Sequence, residues 1–242
     1  QLVSRLPERR QTLFFSATIN PEIKKLAYSL VRNAIRIQIS PKDPVSKNID
    51  HSVAFIEMDD KRFFLERLNR ENEESKILVF VRTRVRAERI VAALSRVGIG
   101  SHFLHGEMDQ RQRFDTLDQF RKGTFKILVA TDVSARGIDI PDVDFVVNYD
   151  IPEKAENYVH RVGRTGRGVR RGTAISFCCA SEKILLEAIE AFTQQEIRVM
   201  KINRDEYEAI VDTATEGPDD WKKLIRDAEQ NEIKFKKARK RK

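Results

Sequence analysis

Cysteine is scarce in this chain of 242 residues, and its scarcity excludes several kinds of chemistry. The two cysteines, Cys178 and Cys179, are adjacent in a segment with a strand pattern, so their side chains point to opposite faces and a bridge between them is disfavoured. No CxxC pair is present, and we expect no metal site. This usage of cysteine is typical of a reducing compartment, so we expect a cytoplasmic protein.

Long apolar runs and phosphate-binding loops are missing as well. No stretch approaches the length of a membrane-spanning helix, and no signal peptide is visible, so we expect no membrane partner. The patterns GxxxxGKS and GxxxxGKT do not occur. Because the first residue is Gln1 rather than methionine, we expect the chain to be a piece of a longer protein.

Acidic residues are absent from the last nine positions, residues 234–242, which carry seven positive charges. Subtracting these seven from the net charge of +8 leaves +1 for residues 1–233, so the body is close to neutral. We expect a basic disordered tail that attracts nucleic acid without regard to sequence, and a solubilising tail is the alternative.

The first 37 residues have the pattern of one strand followed by one helix. Residues 12–18 form the strand pattern, and Asn20 and Pro21 supply a helix cap and a first-turn proline. The apolar positions of the helix are Ile23, Leu26, Ala27, Leu30 and Val31. Residues 38–48 contain two prolines, which predicts a linker. We therefore expect residues 1–37 to be the end of a preceding domain.

Strand and helix patterns alternate through residues 49–198. The strand patterns lie at residues 53–56, 77–81, 103–104, 127–130, 145–147 and 173–179. The helix patterns lie at residues 60–71, 84–97, 109–122 and 181–194, the last two capped by Asp109 and Ser181, and Phe114, Leu117 and Phe120 are predicted to face inward. This alternation predicts an α/β domain with a parallel sheet and right-handed crossovers.

Residues 199–233 predict a partly helical C-terminal extension. Residues 202–211 have the pattern of a short amphipathic element. Further on, Trp221, Leu224 and Ile225 form a thin apolar stripe on a charged helix, which we expect to pack on the domain's own surface.

Residues 160–172 contain five arginines and four glycines without an acidic residue. Glycine permits a close approach of the backbone to a ligand, and guanidinium groups match phosphate oxygens. The segment therefore predicts a phosphate clamp. The alternative is a flexible basic loop, which is disfavoured because the strand pattern at residues 173–179 follows at once.

Polar clusters come directly after several of the predicted strands. They are Ser16-Ala17-Thr18, Arg82-Thr83-Arg84, His105-Gly106, Thr131-Asp132 and the arginine segment. Ligands of parallel sheets gather beyond the carboxyl ends of the strands, so we expect a phosphate-binding surface there. Asp139 can accept hydrogen bonds from ribose hydroxyls or cap a turn, whereas for Asp132 we favour a structural ion pair with a nearby arginine.

These segments together resemble the motifs of DEAD-box RNA helicases, in the second RecA-like domain. Ser16-Ala17-Thr18 resembles the SAT motif that closes the first domain, and residues 78–83 resemble motif IV. His105-Gly106 with Gln110 and Arg113 resembles the HG…QxxR segment. Residues 131–139 resemble motif V and residues 160–167 motif VI. The resemblance covers residues 1–195, and within the family the sequence most resembles the bacterial RhlE-like branch.

The resemblance implies roles for particular residues. Arg164 and Arg167 match the catalytic arginine fingers that reach the γ-phosphate of ATP, and Gly137 and Asp139 match positions at the nucleotide. His160 matches the residue that couples motif VI to the first domain, where Ser16 and Thr18 lie. The positions implied to bind RNA are Arg84, Gly106, Arg113, Thr131 and Arg136. Val85 departs from the family, because many members carry a basic residue there, and Arg84 or Arg86 would substitute.

The resemblance implies the C-terminal half of an ATP-dependent RNA helicase. The sequence contains neither a P-loop nor an Asp-Glu-Ala-Asp tetrapeptide. We therefore expect ATP and Mg²⁺ to be bound mainly by an N-terminal RecA-like domain, and this chain alone to be inactive. The implied partners are that domain and RNA, bound through its backbone with little regard to sequence, and the ribosome and RNA-decay factors are further candidates.

Two other hypotheses stay open. The first is a stand-alone RNA-binding module without a nucleotide role, with which the basic tail and the missing P-loop are compatible. The strand and helix patterns of residues 1–37 argue against it, because they make sense only as the end of another domain. The second is a DNA helicase of the same superfamily, against which the SAT motif and Ala135-Arg136-Gly137-Ile138-Asp139 favour the RNA branch.

Overall fold

The computed structural model describes residues 6–7, 9–15, 21–31, 33–37, 45–135, 140, 143–166 and 171–215, with side chains up to residue 212. The chain divides into two compact units, Gln1–Pro44 and Val45–Lys242. Asn20, the stripe at Trp221, Leu224 and Ile225, and the tail at residues 234–242 lie outside the described residues.

The first unit contains one helix, α1 (Pro21–Leu30), among its described residues, and it begins at proline as predicted. None of the residues of α1 is buried. The strand expected over residues 12–18 is wrong for its described part, because residues 12–15 are not in a strand. A strand needs a neighbouring strand to satisfy its backbone hydrogen bonds, and these residues form no such pairing.

The second unit is organised around a seven-stranded sheet. Its strands are β1 (Ile49–Phe55), β2 (Ile77–Phe80), β3 (Ser101–Leu104), β4 (Ile127–Ala130), β5 (Phe145–Asn148), β6 (Gly172–Cys178) and β7 (Arg198–Val199). They are ordered β3-β4-β2-β5-β6-β1-β7, and every described pairing is parallel. The predicted parallel α/β sheet is therefore confirmed.

Helices cover both faces of this sheet. They are α2 (Lys61–Glu71), α3 (Arg84–Arg96), α4 (Gln110–Lys122), α5 (Asp132–Ala135), α6 (Ala155–Val162), α7 (Lys183–Thr193) and α8 (Arg204–Thr215). Leu78 and Phe80 of β2 pack in one core cluster with residues of α4, α6 and α7, while Ile77 and Val79 pack in another with residues of α2, α3 and α8. Alternate residues of a strand point to opposite faces, so the central strands are apolar throughout.

The helix boundaries follow the predicted caps with one exception. Asp109 and Gln112 form a capping box at the start of α4, and Gly98 and Gly123 have φ angles of 77° and 76° at the ends of α3 and α4. Ser181 does not cap α7 as predicted. It lies inside a short 3₁₀ turn, Ala180–Glu182, where the Glu182 carboxylate accepts the Cys179 N–H at 3.3 Å and tightens the entry to the helix.

The predicted inward position of Phe114 is also wrong. Leu117 and Phe120 are buried, whereas Phe114 is 58% exposed. Phe114 lies about 120° around the helix from Phe120, since successive residues turn by about 100°. It therefore leaves the stripe that packs on the sheet.

Three further properties bear on the expected class of protein. Among the helices of the described ranges, none is long and apolar enough to cross a membrane. Cys178 and Cys179 are both buried and free, and burial raises the pKa of the Cys178 thiol to about 11. In the same described ranges, no group of three or more histidine, cysteine or acidic side chains is arranged to hold a metal ion.

Candidate nucleic-acid and nucleotide site

The predicted polar clusters of the second unit come together at the carboxyl edge of the sheet. Arg82-Thr83-Arg84 follows β2, His105-Gly106 follows β3 and Thr131-Asp132 follows β4. These three strands are neighbours in the order β3-β4-β2, so their ends share one edge. The predicted gathering of these loops at one edge is therefore confirmed, whereas phosphate binding at this edge stays a prediction.

Asp132 forms an ion pair with Arg161 of α6, as its favoured interpretation predicted. Arg161 Nε donates to Asp132 Oδ1 at 2.6 Å, and Arg161 Nη2 donates to Asp132 Oδ2 at 2.9 Å. The remaining nitrogen, Nη1, donates to the Asp150 carbonyl at 2.7 Å and to Asn148 Oδ1 at 3.3 Å. Because Arg161 is only 2% exposed, all of these partners are needed to compensate its lost hydration.

A cavity of about 240 Å³ opens beside this ion pair. It is lined by Phe80, Asp132, Ala135, Asn157, His160, Arg161 and Arg164. The Arg161 guanidinium lies over the Phe80 ring, 5.1 Å from its centre, which fixes the floor of the cavity. His160 lies in the last turn of α6 and Arg164 in the turn that follows this helix, and both line the cavity beside the fixed arginine. The residue predicted to couple the domains, His160, and one predicted arginine finger, Arg164, thus lie at the same cavity.

Thr131 and Arg113 meet through Ser134. The Ser134 N–H donates to Thr131 Oγ1 at 3.3 Å, and the Thr131 N–H donates to Ser134 Oγ at 2.9 Å. Arg113 Nη2 donates to the Ser134 carbonyl at 2.7 Å. The start of α4 is therefore tied to the loop after β4, and two predicted RNA-facing residues lie within one connected cluster.

Arg84 and Gly106 lie at the neighbouring strand ends. Arg84 donates to Glu88 at 2.8 Å and also contacts Glu107. A Cβ added at Gly106 would meet no atom within 4 Å, so this turn is open. Partial burial and, secondly, the positive charge of Arg84 lower the pKa of His105, which keeps its imidazole neutral near pH 7.

The two described ends of the arginine segment touch each other. Gly166 has a φ of 66°, and a Cβ added at Gly172 would lie 2.2 Å from the Gly166 nitrogen and from Thr165 Oγ1. Thr165 Oγ1 donates to the Val143 carbonyl at 2.6 Å, and the Gly172 N–H donates to the Asn48 carbonyl at 3.0 Å. Glycine is therefore required at both positions, and the base of the predicted clamp is closed and anchored.

Several predicted site residues cannot be placed. Ser16, Thr18, Arg136, Gly137, Asp139 and Arg167 lie outside the described residues.

A buried polar network that the sequence pattern does not reveal lies behind this edge. Lys61 Nζ lies 2.5 Å from Glu182 Oε2 and donates to the Tyr149 carbonyl at 2.8 Å, and Glu182 Oε1 also accepts from Arg82 at 3.3 Å. Asp150, fully buried, accepts the Arg82 N–H at 2.8 Å and contacts Arg86. The available signal was Asp150, an acidic residue two positions after the end of β5, whereas nothing in the pattern pointed to Lys61 or Glu182.

The pKa of Glu182 reflects its position in this network. Burial alone would raise the pKa of this carboxyl group, but the hydrogen bond and charge of Lys61, with the Cys179 N–H, outweigh burial and lower it. Glu182 is therefore ionised, and it holds Arg82 at the base of the β2 loop.

Comparison with known proteins places this geometry in context. Residues 60–169 match the family described as the helicase conserved C-terminal domain. The ATP-dependent RNA helicase RhlB of Shewanella amazonensis is 37% identical over 206 residues, which cover 84% of this chain and 47% of that protein. The chain thus spans about half the length of the curated relatives that it matches.

Solved structures show the same fold. E. coli DEAD-box protein SrmB, solved with the regulator of ribonuclease activity RraA, is 37% identical with a TM-score of 0.63, over 67% of this chain and 95% of that one. S. cerevisiae Dbp5, solved with RNA and ADP BeF3, is 30% identical with a TM-score of 0.76, over 90% of this chain and 57% of that one. The sheet and its helices therefore form a RecA-like helicase C-terminal domain.

Proposed function

This chain belongs to the DEAD-box family of RNA helicases as a C-terminal RecA-like domain, and from that premise we propose that it binds the RNA backbone and supplies arginine fingers for ATP hydrolysis and duplex unwinding. The observation that carries the proposal is the Asp132–Arg161 ion pair, with Asp132 Oδ1 and Arg161 Nε 2.6 Å apart. Asp132 adjoins Thr131 on the RNA side, and Arg161 precedes Arg164 on the nucleotide side. One rigid contact therefore joins the two proposed functions.

The proposed RNA surface consists of the strand-end residues Arg84, Gly106, Arg113, Thr131 and Arg136. Hydroxyl groups, arginines and an open glycine turn suit phosphate oxygens, which carry no sequence information. Binding should therefore be largely independent of sequence, with the 2′-hydroxyl distinguishing RNA from DNA. The complex of RNA with Dbp5, a relative of the same fold, supports this assignment.

The proposed nucleotide surface is the wall of the cavity at Arg164, together with Gly137, Asp139 and Arg167. A guanidinium held beside a fixed ion pair can stabilise negative charge that develops on a transferred phosphoryl group. The described lining has one carboxylate, Asp132, which is already paired with Arg161, whereas Arg161 and Arg164 are cationic, so the lining fits phosphate oxygens and does not fit Mg²⁺. We propose that an N-terminal RecA-like domain holds Mg²⁺ and most of ATP.

The proposed domain organisation follows from the same assignment. Residues 1–37, with Ser16 and Thr18, would close the N-terminal RecA-like domain, residues 38–48 would link it to the domain at 49–198, and His160 would couple the two. Alone, the chain should not hydrolyse ATP. We also propose a cytoplasmic protein, with the ribosome or RNA-decay factors as partners, and the complex of SrmB with RraA is one example from the family.

The proposal is tested by RNA-stimulated ATP hydrolysis in the protein that joins this chain to an ATP-binding RecA-like domain. Arg113→Ala removes the 2.7 Å contact to the Ser134 carbonyl and one cation from the RNA surface. We expect the RNA concentration for half-maximal stimulation to rise about tenfold, because a hydrogen bond to a charged group is worth roughly this factor. Arg111→Ala, on the same helical turn, is the matched control and should have a smaller effect.

Two results would contradict the proposal. Equal effects of the two arginine substitutions would remove Arg113 from the RNA surface. RNA-stimulated ATP hydrolysis by the isolated chain would show that it is not half of an enzyme.

A further inference from the structure

Arg84 has two carboxylate partners of different kinds. Its Nε donates to Glu88 Oε1 at 2.8 Å, and its Nη1 donates to Glu107 Oε2. The Arg84 side chain is 44% exposed, Glu88 is 42% exposed and Glu107 is 75% exposed. Glu107 is therefore the outermost member of this group and faces the solvent from which RNA would arrive.

The two contacts differ in how they are maintained. Glu88 lies one turn after Arg84 on the same helix, so the helix itself keeps the pair together. Glu107 lies in the turn between β3 and α4, beside Gly106, and its contact with Arg84 spans 23 residues of sequence. A Cβ added at Gly106 would enter open space and the Glu107 side chain is 75% exposed, so this side chain has room to turn away from Arg84 into solvent. The Glu107 side chain can thus break its contact with Arg84 without disturbing α3.

We propose that Glu107 is a positioning residue that occupies the Arg84 guanidinium in the RNA-free domain and is displaced by an RNA phosphate. The proposal rests on the proposed function, in which Arg84 faces the RNA backbone. A carboxylate and a phosphate present similar oxygen pairs to a guanidinium, so one anion can replace the other on the same nitrogens. Glu107 orients the Arg84 side chain before RNA binds. It also weakens RNA binding, because the phosphate must displace the Glu107 carboxylate from Arg84.

This exchange has a consequence for ligand choice. An isolated phosphate gains only the contact with Arg84 and must compete with a tethered carboxylate. A polynucleotide also gains contacts at Thr131, at the end of the neighbouring strand, and at Arg113, in the first turn of α4, and these offset the loss of the Glu107 pair. The Arg84–Glu107 contact therefore favours chains of phosphates over single anions.

The test measures the dissociation constant for fluorescein-labelled oligouridine at low salt with the full 242-residue chain. Four proteins are compared: the natural sequence, Glu107→Gln, Arg84→Gln and the double variant. We expect Arg84→Gln to weaken binding and Glu107→Gln to tighten it about threefold, the size typical of an exposed ion pair. In the Arg84→Gln background, Glu107→Gln should lose most of this effect, because no guanidinium remains to be released.

A matched control separates this effect from net charge. Glu73→Gln removes one negative charge before β2, at the opposite edge of the sheet, and should change the dissociation constant less than Glu107→Gln. All substituted positions are solvent-exposed, so the variants should unfold at the same temperature as the natural sequence, and circular dichroism checks this.

The outcomes distinguish the inference from the function on which it rests. If Arg84→Gln weakens binding but Glu107→Gln has the same effect in both backgrounds, or weakens binding, the displacement proposal is wrong and the RNA surface stands. If Arg84→Gln leaves binding unchanged, Arg84 does not face RNA and both assignments to this residue fail.

Discussion

Two arginines at the same edge of the sheet, Arg161 and Arg84, are held in opposite ways. Arg161 is 2% exposed and donates to Asp132, Asn148 and Asp150, and these hydrogen bonds hold its guanidinium in a single position. Arg84 is 44% exposed and contacts two exposed carboxylates. The first arrangement suits a residue that must fix its neighbours. The second suits a residue that changes partners when a ligand binds.

The energetic difference follows from hydration. Removing one partner of a buried ion pair leaves a charge without water, at a cost of about 3–5 kcal/mol. An exposed pair loses about 0–1 kcal/mol, because water replaces the missing partner. Stability measurements can therefore test whether the two arginines differ as the structure indicates.

The largest effect is expected for Asp132→Ala. This substitution leaves the buried Arg161 guanidinium without its carboxylate, and the free energy of unfolding should fall by about 3 kcal/mol. Urea denaturation measures the change. Asp118→Ala is the control, because Asp118 forms an exposed pair with Lys122 one turn away, and it should change the free energy of unfolding far less than Asp132→Ala. Equal losses would remove the distinction between buried and exposed pairs.

Gly172→Ala should have the next largest effect. The new methyl group would meet the Gly166 nitrogen and Thr165 at 2.2 Å, so the base of the arginine segment must shift, at a cost of about 2 kcal/mol. Gly106→Ala is the control, because its methyl group would enter open space. Thermal unfolding of the two variants measures the contrast. If Gly172→Ala unfolded at the same temperature as Gly106→Ala, residues 166 and 172 would not be in the close contact that the structure shows.

Glu182→Gln tests the buried network behind Arg82. It replaces the carboxylate that pairs with Lys61 at 2.5 Å by an amide whose oxygen still accepts hydrogen bonds, so the free energy of unfolding should fall by about 1.5 kcal/mol at pH 7, less than when the acceptor is removed altogether. The pKa of Glu182 is lowered in the folded protein, so its contribution is present above the ordinary value of 4.5 and is lost as the pH falls. The difference between the two proteins should therefore shrink on acidification. A difference that grows towards low pH would contradict the lowered pKa.

The smallest effect is expected for Glu88→Gln. The exposed pair of Glu88 with Arg84 lies within one helix, so its loss should reduce the free energy of unfolding by about 0.4 kcal/mol. Glu208→Gln, which breaks the equivalent pair with Arg204, should give a similar value. A loss above about 1 kcal/mol for Glu88→Gln alone would mean that Arg84 is held more firmly than its exposure indicates.

Sequence patterns predicted the parts of the fold that depend on local periodicity. The apolar run of β2 and the caps at Asp109 and Gly123 are determined by neighbouring residues, and all three were found as predicted. The ion pair of Asp132 with an arginine was also predicted. That its partner is Arg161 could not be read from the sequence, because only the fold brings together residues 29 positions apart.

The errors have a common physical cause. Phe114 was placed inward because its spacing fitted the helical stripe approximately, and the pattern cannot show where the sheet surface ends. Lys61 and Glu182 are charged residues that burial would normally exclude, and they are 121 positions apart, so no local signal marks their pairing. The contact of Glu107 with Arg84 depends in the same way on two neighbouring loops.

The most direct test of the account is ATP turnover after substitution of the arginines that follow the fixed Arg161. Arg164→Ala with Arg167→Ala is measured in the protein that joins this chain to an ATP-binding RecA-like domain, with saturating RNA. We predict a fall in kcat of about a thousandfold, typical of a lost arginine finger, with ATP binding retained. Unchanged turnover would contradict the account, because these arginines would then be parts of a structural loop rather than of a catalytic surface.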